Sequence, residues 1–349
     1  MRGSIRLFKV ADISINIHIT FFLLLLLFLN MGVKWLFLIV AIFFFVTLHE
    51  LSHSLVAKKF GIRVKEITLL PIGGVASMTK MPDKPYQEFL ISLAGPMLNI
   101  AVVIIFFLPL YYILGPEVLF HPLSVKTFPL TIAHIYWINL ILAIFNLIPA
   151  FPMDGGRIVR ALLAGKLGYQ KATKIAVNFG HIFALLFGYI GLINGHILLI
   201  IIAVFIYMAA SSEELQVDLR ETLKKFTIKD IVPSQFLTLQ KEATLSKVLE
   251  LMFHSHQEDF PVIEGGRMVG FITRSDIING IHQHGVSANV SLVMKKDFPV
   301  LQERDHLDKV QNIMQENNIK ALPVVRDDSV IGVVTIEDVT RVYSLMSKR

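Results

Sequence analysis

The residue types most suited to chemistry occur in the segment His49-Glu50-Leu51-Ser52-His53. On a helix, residues four positions apart lie on one face, so His49 and His53 can bind the same metal ion, while the intervening Glu50 can take a proton from an attacking water molecule. The chain has no cysteine, so a transition metal here must use His, Asp, Glu or Asn ligands. The spacing therefore predicts a zinc site that hydrolyses a bond.

The surroundings of this segment strengthen the prediction. Residues 35–57 otherwise form an apolar stretch long enough to span a membrane, and at 1.5 Å per residue His49 lies roughly 21 Å from its outer end. Ionisable groups at that depth are costly, so they usually serve a function. The alternative is a polar cluster that holds neighbouring helices together by hydrogen bonds.

A catalytic zinc ion needs a third protein ligand, and Asp154 is the best candidate. It follows Asn146-Leu147-Ile148-Pro149-Ala150-Phe151-Pro152-Met153 and precedes two glycines, and these prolines and glycines break a helix near the same depth. The backbone can therefore turn inward there. The alternative role for Asp154 is the N-cap of a helix that begins near Arg157.

Two asparagines in apolar helices are further candidates for the reaction. The amides of Asn99 and Asn146 can donate hydrogen bonds to the oxyanion that develops on a scissile carbonyl group. Hydrogen bonding between helices is the alternative role for each of them.

Composition indicates a membrane protein, since 54% of the residues are hydrophobic and only 17% are charged. The basic residues concentrate in alternate short loops, which favours a role in membrane topology over nucleic-acid binding and predicts that both termini face the cytoplasm. The N-terminus lacks a small-residue cleavage site, so we expect no removable signal peptide. Six membrane-spanning stretches are predicted, at residues 21–31, 35–57, 88–114, 129–148, 174–193 and 196–210.

Two segments near these helices have strand patterns. Residues 13–20 alternate β-branched and polar side chains, and we expect a short strand at the membrane surface before the first helix. Residues 64–70 and 75–78 flank Pro71-Ile72-Gly73-Gly74 and predict a hairpin that turns at the two glycines. Its open edge can hold an extended substrate peptide, with Gly73 and Gly74 as substrate-binding residues.

The C-terminal third contains a repeat with a constant offset. Residues 260–263 match 322–325, residues 269–273 match 331–335, and each unit has the pattern helix, strand, turn, strand, helix. Two such units would pack as one small α/β module. The predicted fold is a polytopic α-helical membrane protein of about six helices with a membrane-associated β element at 1–212, a linker at 213–226, and a pair of α/β domains at 227–284 and 285–349.

The chain resembles the site-2 protease family of intramembrane zinc metalloproteases. The resemblance rests on His49-Glu50-Leu51-Ser52-His53, on Ala94-Gly95-Pro96-Met97-Leu98-Asn99, and on the segment from Asn146 to Asp154-Gly155-Gly156-Arg157. It implies one Zn²⁺ ion held by His49, His53 and Asp154, with Glu50 as the base and Asn99 assisting the substrate carbonyl. It also implies that the substrates are membrane-spanning proteins, and that the glycine-rich hairpin matches the family's membrane-dipping β element.

The paired C-terminal units resemble CBS domains through Thr273-Arg274-Ser275-Asp276 and Thr335-Ile336-Glu337-Asp338. In that family the Thr-x-x-Asp positions often contact a ribose, so the resemblance implies that Thr273, Asp276, Thr335 and Asp338 bind an adenine nucleotide (ATP, ADP or AMP). The alternative is helix capping in a scaffold that forms a homodimer. We expect the nucleotide to regulate cleavage through the segment at residues 211–225.

Two other function classes fit part of the sequence. A transporter or channel with CBS regulation also places His and acidic residues inside a membrane, but transporters usually show repeated membrane halves, and the zinc motifs occur once each here. The second class is an inactive scaffold, and the presence of Glu50 between two ligand-competent histidines argues against it.

Overall fold

The computed structural model describes residues 3–71, 73–79, 81–82, 84–116, 119, 128–233, 235–255, 257–327 and 329–346, and for residues 128–132 it describes the backbone alone. Ile72 of the predicted turn therefore lies outside the described residues. The chain divides into two compact units, Met1–Val217 and Asp218–Arg349. Each unit is described by itself below.

The first unit is built mainly from apolar helices. They are α1 (Ile19–Leu29), α2 (Val33–Lys59), α3 (Pro85–Leu114), α4 (Phe128–Leu147), α5 (Asp154–Leu167), α6 (Tyr169–Ile193) and α7 (Ile197–Leu223), which continues into the second unit.

Four of these helices, α2, α3, α6 and α7, are long and apolar enough to cross a membrane. Two shorter apolar helices, α1 and the Ala133–Leu147 part of α4, coincide with the other two predicted stretches. The fold class of a polytopic helical membrane domain is therefore confirmed, while the count of six spans stays a prediction. Helix α5 was not predicted as a separate element; it is a short helix with one buried face that includes Arg160 and Ala164.

A four-stranded sheet packs beside these helices in the order β1-β2-β3-β4. The predicted strand and the predicted hairpin are both present, but the edge strand β1 was not predicted because its side chains are mostly exposed and show no buried face. The parallel pairing of β2 with β3 makes β3 an interior strand, so the open edge of the hairpin belongs to β4 alone. The strands are β1 (Ser4–Val10), β2 (Ile13–His18), β3 (Val64–Leu70) and β4 (Gly73–Met78).

The second unit contains the predicted repeat, and its α/β fold is confirmed. Each half forms a three-stranded sheet with one parallel pair and one antiparallel hairpin. The first half has β5 (Leu239–Gln240), α8 (Leu245–His254), β6 (Phe260–Glu264), β7 (Arg267–Ile272) and α9 (Arg274–His284). The second half has β8 (Leu301–Gln302), α10 (Leu307–Asn317), β9 (Ala321–Arg326), β10 (Ser329–Thr335) and α11 (Ile336–Met346).

The segment predicted as a linker is helical for most of its length. Helix α7 runs through residue 213 to Leu223, and the division between the two units falls inside it. Leu223 is fully buried in the core of the second half, together with Ile228 and Leu301. The C-terminal end of α7 is therefore a packed part of the second unit.

Candidate metal centre

Three side chains from two distant parts of the chain converge at the proposed zinc site. The Nε2 atoms of His49 and His53 lie 3.2 Å and 3.1 Å from Oδ2 of Asp154 and 3.0 Å from each other. Two ligand atoms of a tetrahedral zinc ion lie about 3.3 Å apart, given zinc–nitrogen bonds of about 2.0–2.1 Å. The spacing of the three atoms therefore fits a single small cation.

The opposite ring nitrogens explain why these atoms suit a cation. Nδ1 of His53 donates to the carbonyl oxygen of Ile91 at 2.6 Å, and Nδ1 of His49 donates to Oδ1 of Asn99 at 2.7 Å. With the hydrogen on Nδ1, each neutral imidazole presents a bare Nε2. Two bare nitrogens and a carboxylate oxygen that face one another repel unless a cation lies between them, so the donor set fits Zn²⁺.

Gly95 lets helix α3 approach these two histidines. A Cβ atom at this position would lie 2.3 Å from Nε2 of His53 and 2.6 Å from Nε2 of His49. Its sequence signal is a glycine next to Pro96 inside an apolar helix, the pattern of close helix packing. Gly95 belongs to the motif Ala94-Gly95-Pro96-Met97-Leu98-Asn99, but a place for it in the metal site was not predicted.

Asp154 is the first residue of α5, and the residue before it, Met153, is the N-cap. The alternative that Asp154 caps a helix near Arg157 is therefore wrong, because its carboxylate points to the two histidines instead. The glycines that follow allow the preceding loop to fold back on the helix start. A Cβ atom at Gly155 would lie 2.1 Å from the carbonyl oxygen of Ile148.

The loop before Asp154 is fixed against helix α6. The backbone N–H of Phe151 donates to the carbonyl oxygen of Ala176 at 3.2 Å, and the Phe151 side chain is fully buried against Ala176, Val177 and Ala210. Gly180 of α6 leaves room for this contact, since a Cβ atom there would lie 2.3 Å from the Phe151 carbonyl oxygen. The third candidate ligand therefore stands on a rigid support.

Glu50 lies on α2 between the histidines and faces the start of strand β4. A Cβ atom at Gly74 would lie 2.7 Å from Cγ of Glu50, so only glycine leaves the backbone and this side chain in contact. At Gly73 the backbone has a φ of +141°, which L side chains rarely adopt, and no atom lies close enough to meet an added Cβ. The structure thus places Gly74 of the hairpin against the proposed base.

The candidate asparagines have different surroundings. Asn99 is fully buried. Its Oδ1 atom accepts from His49, and its Nδ2 atom donates to Oδ1 of Asn139 at 3.2 Å. Asn146 instead donates to the carbonyl oxygen of Leu142 in its own helix. The structure places Asn99, but not Asn146, in contact with a residue of the cluster, and it adds Asn139, which the sequence analysis did not select.

A buried ionic cluster is centred on Arg160, which lies on the same helix as Asp154. The guanidinium group of Arg160 pairs with Glu88 of α3 and, at 2.8 Å, with Glu213 of α7, and it lies 4.8 Å from the ring centre of Phe151. Only 4% of the Arg160 and Glu88 side chains is exposed. Three helices are therefore joined at one arginine, whose part in this cluster was not predicted from the sequence.

The four predicted nucleotide contacts form two helix caps in the second unit. Thr273 pairs with Asp276, and Thr335 with Asp338, through hydroxyl and backbone hydrogen bonds that all reach Oδ2 of the aspartate. The Oδ1 atoms differ, because that of Asp276 also pairs with Lys295 at 2.9 Å, whereas that of Asp338 lies 3.9 Å from Arg341. Burial alone would raise the pKa of Asp276, but the hydrogen bonds from Thr273 and Lys295 lower it.

A cavity of about 1140 Å³ opens between the two halves of this unit beside Thr335 and Asp338. Phe236, Leu237 and Ala321 give it an apolar wall. Its charged lining consists of the acids Glu258, Asp259, Glu337 and Asp338 and the bases Lys320 and Arg341. Burial raises the pKa of Asp259; a backbone hydrogen bond from Arg274 opposes this, and repulsion from Glu258 and Glu337 adds to it.

Comparison with known proteins decides the family. A zinc metalloprotease of Methanocaldococcus jannaschii is 34% identical over 352 residues, which cover 99% of this chain and 98% of the relative. The chain belongs to peptidase family M50. The M50 family model matches residues 37–131 and 121–187 of the present chain, and the CBS domain model matches its residues 228–283 and 289–345.

Among solved structures, a site-2 protease from Methanocaldococcus jannaschii is 42% identical to this M50 peptidase, with a TM-score of 0.46. It covers 60% of this chain, and 95% of that structure is matched. Membership of family M50, the full-length zinc metalloprotease relative and the two CBS matches make the protein a membrane-associated zinc metalloendopeptidase that carries a CBS pair.

Proposed function

We propose that this M50 peptidase hydrolyses peptide bonds within or near the membrane-spanning segments of substrate proteins, and that His49, His53 and Asp154 hold one catalytic Zn²⁺ ion. One observation carries the proposal. The convergent ligand atoms and Glu50 belong to, or contact, helix α2, which has the length and composition of a membrane span. A hydrolytic site at that position meets peptide bonds that soluble proteases cannot reach.

The residues of the chain divide the chemistry between them. A bound zinc ion polarises the scissile carbonyl and lowers the pKa of the attacking water. Glu50 takes the proton of that water and passes it to the leaving nitrogen. Asn99 and Ile91 keep the hydrogen of each imidazole on Nδ1, which leaves both Nε2 atoms free for the metal.

Substrate presentation is proposed to use the edge of strand β4. A membrane helix hides its peptide bonds, so a substrate segment must unwind before cleavage. An unwound segment can add to the open edge of β4, whose second residue, Gly74, lies against Glu50. Strand β3, the other strand of the hairpin, has both edges occupied, so proline at Ile67 or Leu69 would disturb the sheet itself.

The test is cleavage of a model single-span substrate in detergent by the wild type and by Glu50→Gln, with bound zinc measured in both. The substitution removes the base but keeps the three ligands, so we expect zinc to stay and cleavage to fall by at least about 100-fold. Equal cleavage by the two proteins would contradict the role of Glu50. Loss of zinc from His49→Gln, with the fold retained, checks the ligand assignment separately.

The CBS pair is proposed to bind an adenine nucleotide that regulates cleavage, and the cleft at Thr335 and Asp338 is the preferred site. Oδ2 of Asp338 caps its own helix, while Oδ1 remains 3.9 Å from the nearest paired cation and can accept from a ribose hydroxyl. At Asp276 a lysine already holds the corresponding oxygen. The apolar wall beside Asp338 suits an adenine ring.

The remaining predictions concern location and assembly. We propose a cell-membrane protein with both termini in the cytoplasm, where nucleotide is present, and a homodimer formed through the CBS pair. Cysteine accessibility in intact cells, measured at a residue introduced into each terminus of this cysteine-free chain, tests the topology. Labelling by a membrane-impermeant reagent from outside the cell would contradict it.

A further inference from the structure

A second asparagine, Asn139, is hydrogen-bonded to the Asn99 side chain on the side away from His49. Asn139 is fully buried in helix α4, and its Oδ1 atom accepts from Nδ2 of Asn99 at 3.2 Å. Its own Nδ2 donates to the carbonyl oxygen of Ile135, one turn earlier, at 2.9 Å. Four groups are thus connected in one line, namely the Ile135 carbonyl, Asn139, Asn99 and His49.

The direction of this line is set at its far end. A backbone carbonyl can only accept, so Asn139 must turn its NH₂ group toward Ile135 and its oxygen toward Asn99. Asn99 must then turn its own NH₂ group toward Asn139 and its oxygen toward His49. An oxygen facing Nδ1 of His49 keeps the hydrogen on that nitrogen, and Nε2 is left bare.

The opposite orientation would prevent metal binding by His49. If the Asn99 amide turned by 180°, its NH₂ group would donate to Nδ1 and the imidazole would carry its hydrogen on Nε2. Water cannot correct the orientation, because Asn99 and Asn139 are both fully buried. His53 needs no such device, since its Nδ1 atom donates directly to the Ile91 carbonyl.

We propose that Asn139 is a positioning residue of the zinc site: it fixes the orientation of the Asn99 amide and thereby the tautomer of His49. The inference rests on the proposed role of His49 as a zinc ligand. It assigns Asn139 no contact with substrate or metal. Its role is to keep one imidazole in the form that can bind.

The test measures zinc affinity by chelator competition in detergent for two variants. Asn139→Leu removes the amide group at a similar side-chain size, and Asn139→Ala removes it without introducing a larger side chain. Outer partners of metal ligands typically contribute about 10- to 100-fold in affinity, and we expect a loss of that size. Thr173→Val is the matched control, because it removes another buried hydrogen bond within one helix, from Thr173 to the Tyr169 carbonyl, away from this line. Its zinc affinity should stay unchanged.

A double substitution separates orientation from packing. An aspartate at position 99 presents an acceptor oxygen to His49 in either orientation, so it no longer needs Asn139. In an Asn99→Asp background the second carboxylate oxygen faces the accepting Oδ1 atom of Asn139, so Asn139→Leu removes a repulsion there and should not lower zinc affinity. An equal loss in both backgrounds would mean that Asn139 acts through packing, and no loss in the wild-type background would also overturn the proposal.

The tautomer itself is visible by ¹⁵N NMR of the metal-free protein, with the His49 signals identified by their absence in His49→Gln. The wild type should show the Nδ1–H form of His49, and Asn139→Leu should show an increase in the Nε2–H form while His53 is unchanged. An unchanged His49 tautomer would contradict the proposal. A wild type that binds no zinc at all would instead refute the proposed function, so the two failures are distinguishable.

Discussion

Gly95 and His53 approach each other so closely that no larger residue fits at position 95. A Cβ atom there would lie 2.3 Å from the Nε2 atom that faces the proposed metal, and 2.6 Å from the corresponding atom of His49. The α3 backbone therefore forms one wall of the metal centre. Its distance from α2 is set by a residue that has no side chain.

Replacement of Gly95 by alanine is expected to remove zinc binding, because the added methyl group occupies the space between the two imidazoles. Zinc content and cleavage should both fall, with metal affinity lowered by at least about 10-fold. Gly188→Ala is the control in another membrane helix, since its nearest new contact would be an ordinary 3.7 Å from Ala203. Full zinc content in Gly95→Ala would show that the helices can separate without loss of the site.

Proline on the edge strand tests the docking of substrate on β4. Neighbouring residues of a strand point their N–H groups to opposite edges, so one of Val75→Pro and Ala76→Pro removes a donor from the open edge, and at least one of the two should lower the cleavage rate while zinc content is retained. Leu7→Pro on β1 is the matched control, because it lies at a bulge on the opposite edge of the same sheet. Unchanged cleavage by both β4 variants would exclude strand addition at this edge.

Removal of the arginine that joins three helices should destabilise the membrane domain strongly. Arg160→Met leaves Glu88 without the buried guanidinium group it pairs with, and loss of one member of such a pair costs about 3–5 kcal/mol of unfolding free energy. Thermal unfolding in detergent measures the effect. Addition of Glu88→Gln should recover part of the loss.

The exposed pair of Lys247 and Glu250 gives the comparison for that experiment. Both side chains are more than half exposed, so Lys247→Met should change the melting temperature little. Equal effects of Arg160→Met and Lys247→Met would contradict the view that burial gives Arg160 its importance.

The charge around the CBS cavity predicts a preference among nucleotides. Its four acids outnumber its two bases, so AMP should bind more tightly than ATP. Lowering the pH through the raised pKa of Asp259 protonates that carboxyl and removes a negative charge, so ATP binding should strengthen. Calorimetric titration at several pH values measures both effects.

The variant Asp259→Asn tests the same idea without a change of pH. It should strengthen ATP binding and flatten the pH dependence, while Glu264→Gln, outside the cavity lining, should do neither. Tighter binding of ATP than of AMP by the wild type would contradict the charge argument but leave nucleotide binding in place.

Much of the architecture was predictable because its signals are local. The apolar helices follow from composition over about 20 residues, which a membrane core requires. The two halves of the C-terminal unit follow from an internal repeat, and one copy supports the reading of the other. Strand β1 was not predicted because its exposed side chains carry no periodic pattern. The interior position of β3 was not predicted because its partner β2 lies about 50 residues earlier, and pairing over that separation leaves no local pattern in the sequence.

The sequence by itself determined which side chains can bind metal and act as the base, because His49, Glu50 and His53 share one helix turn and the absence of cysteine left few other ligands. Only the tertiary structure decided how these groups are held. The contacts of Gly95 with His53, of Asn139 with Asn99, and of Arg160 with Glu88 join different helices. Such contacts depend on the distance and rotation between packed helices, and neither quantity is encoded in the periodicity of a single segment.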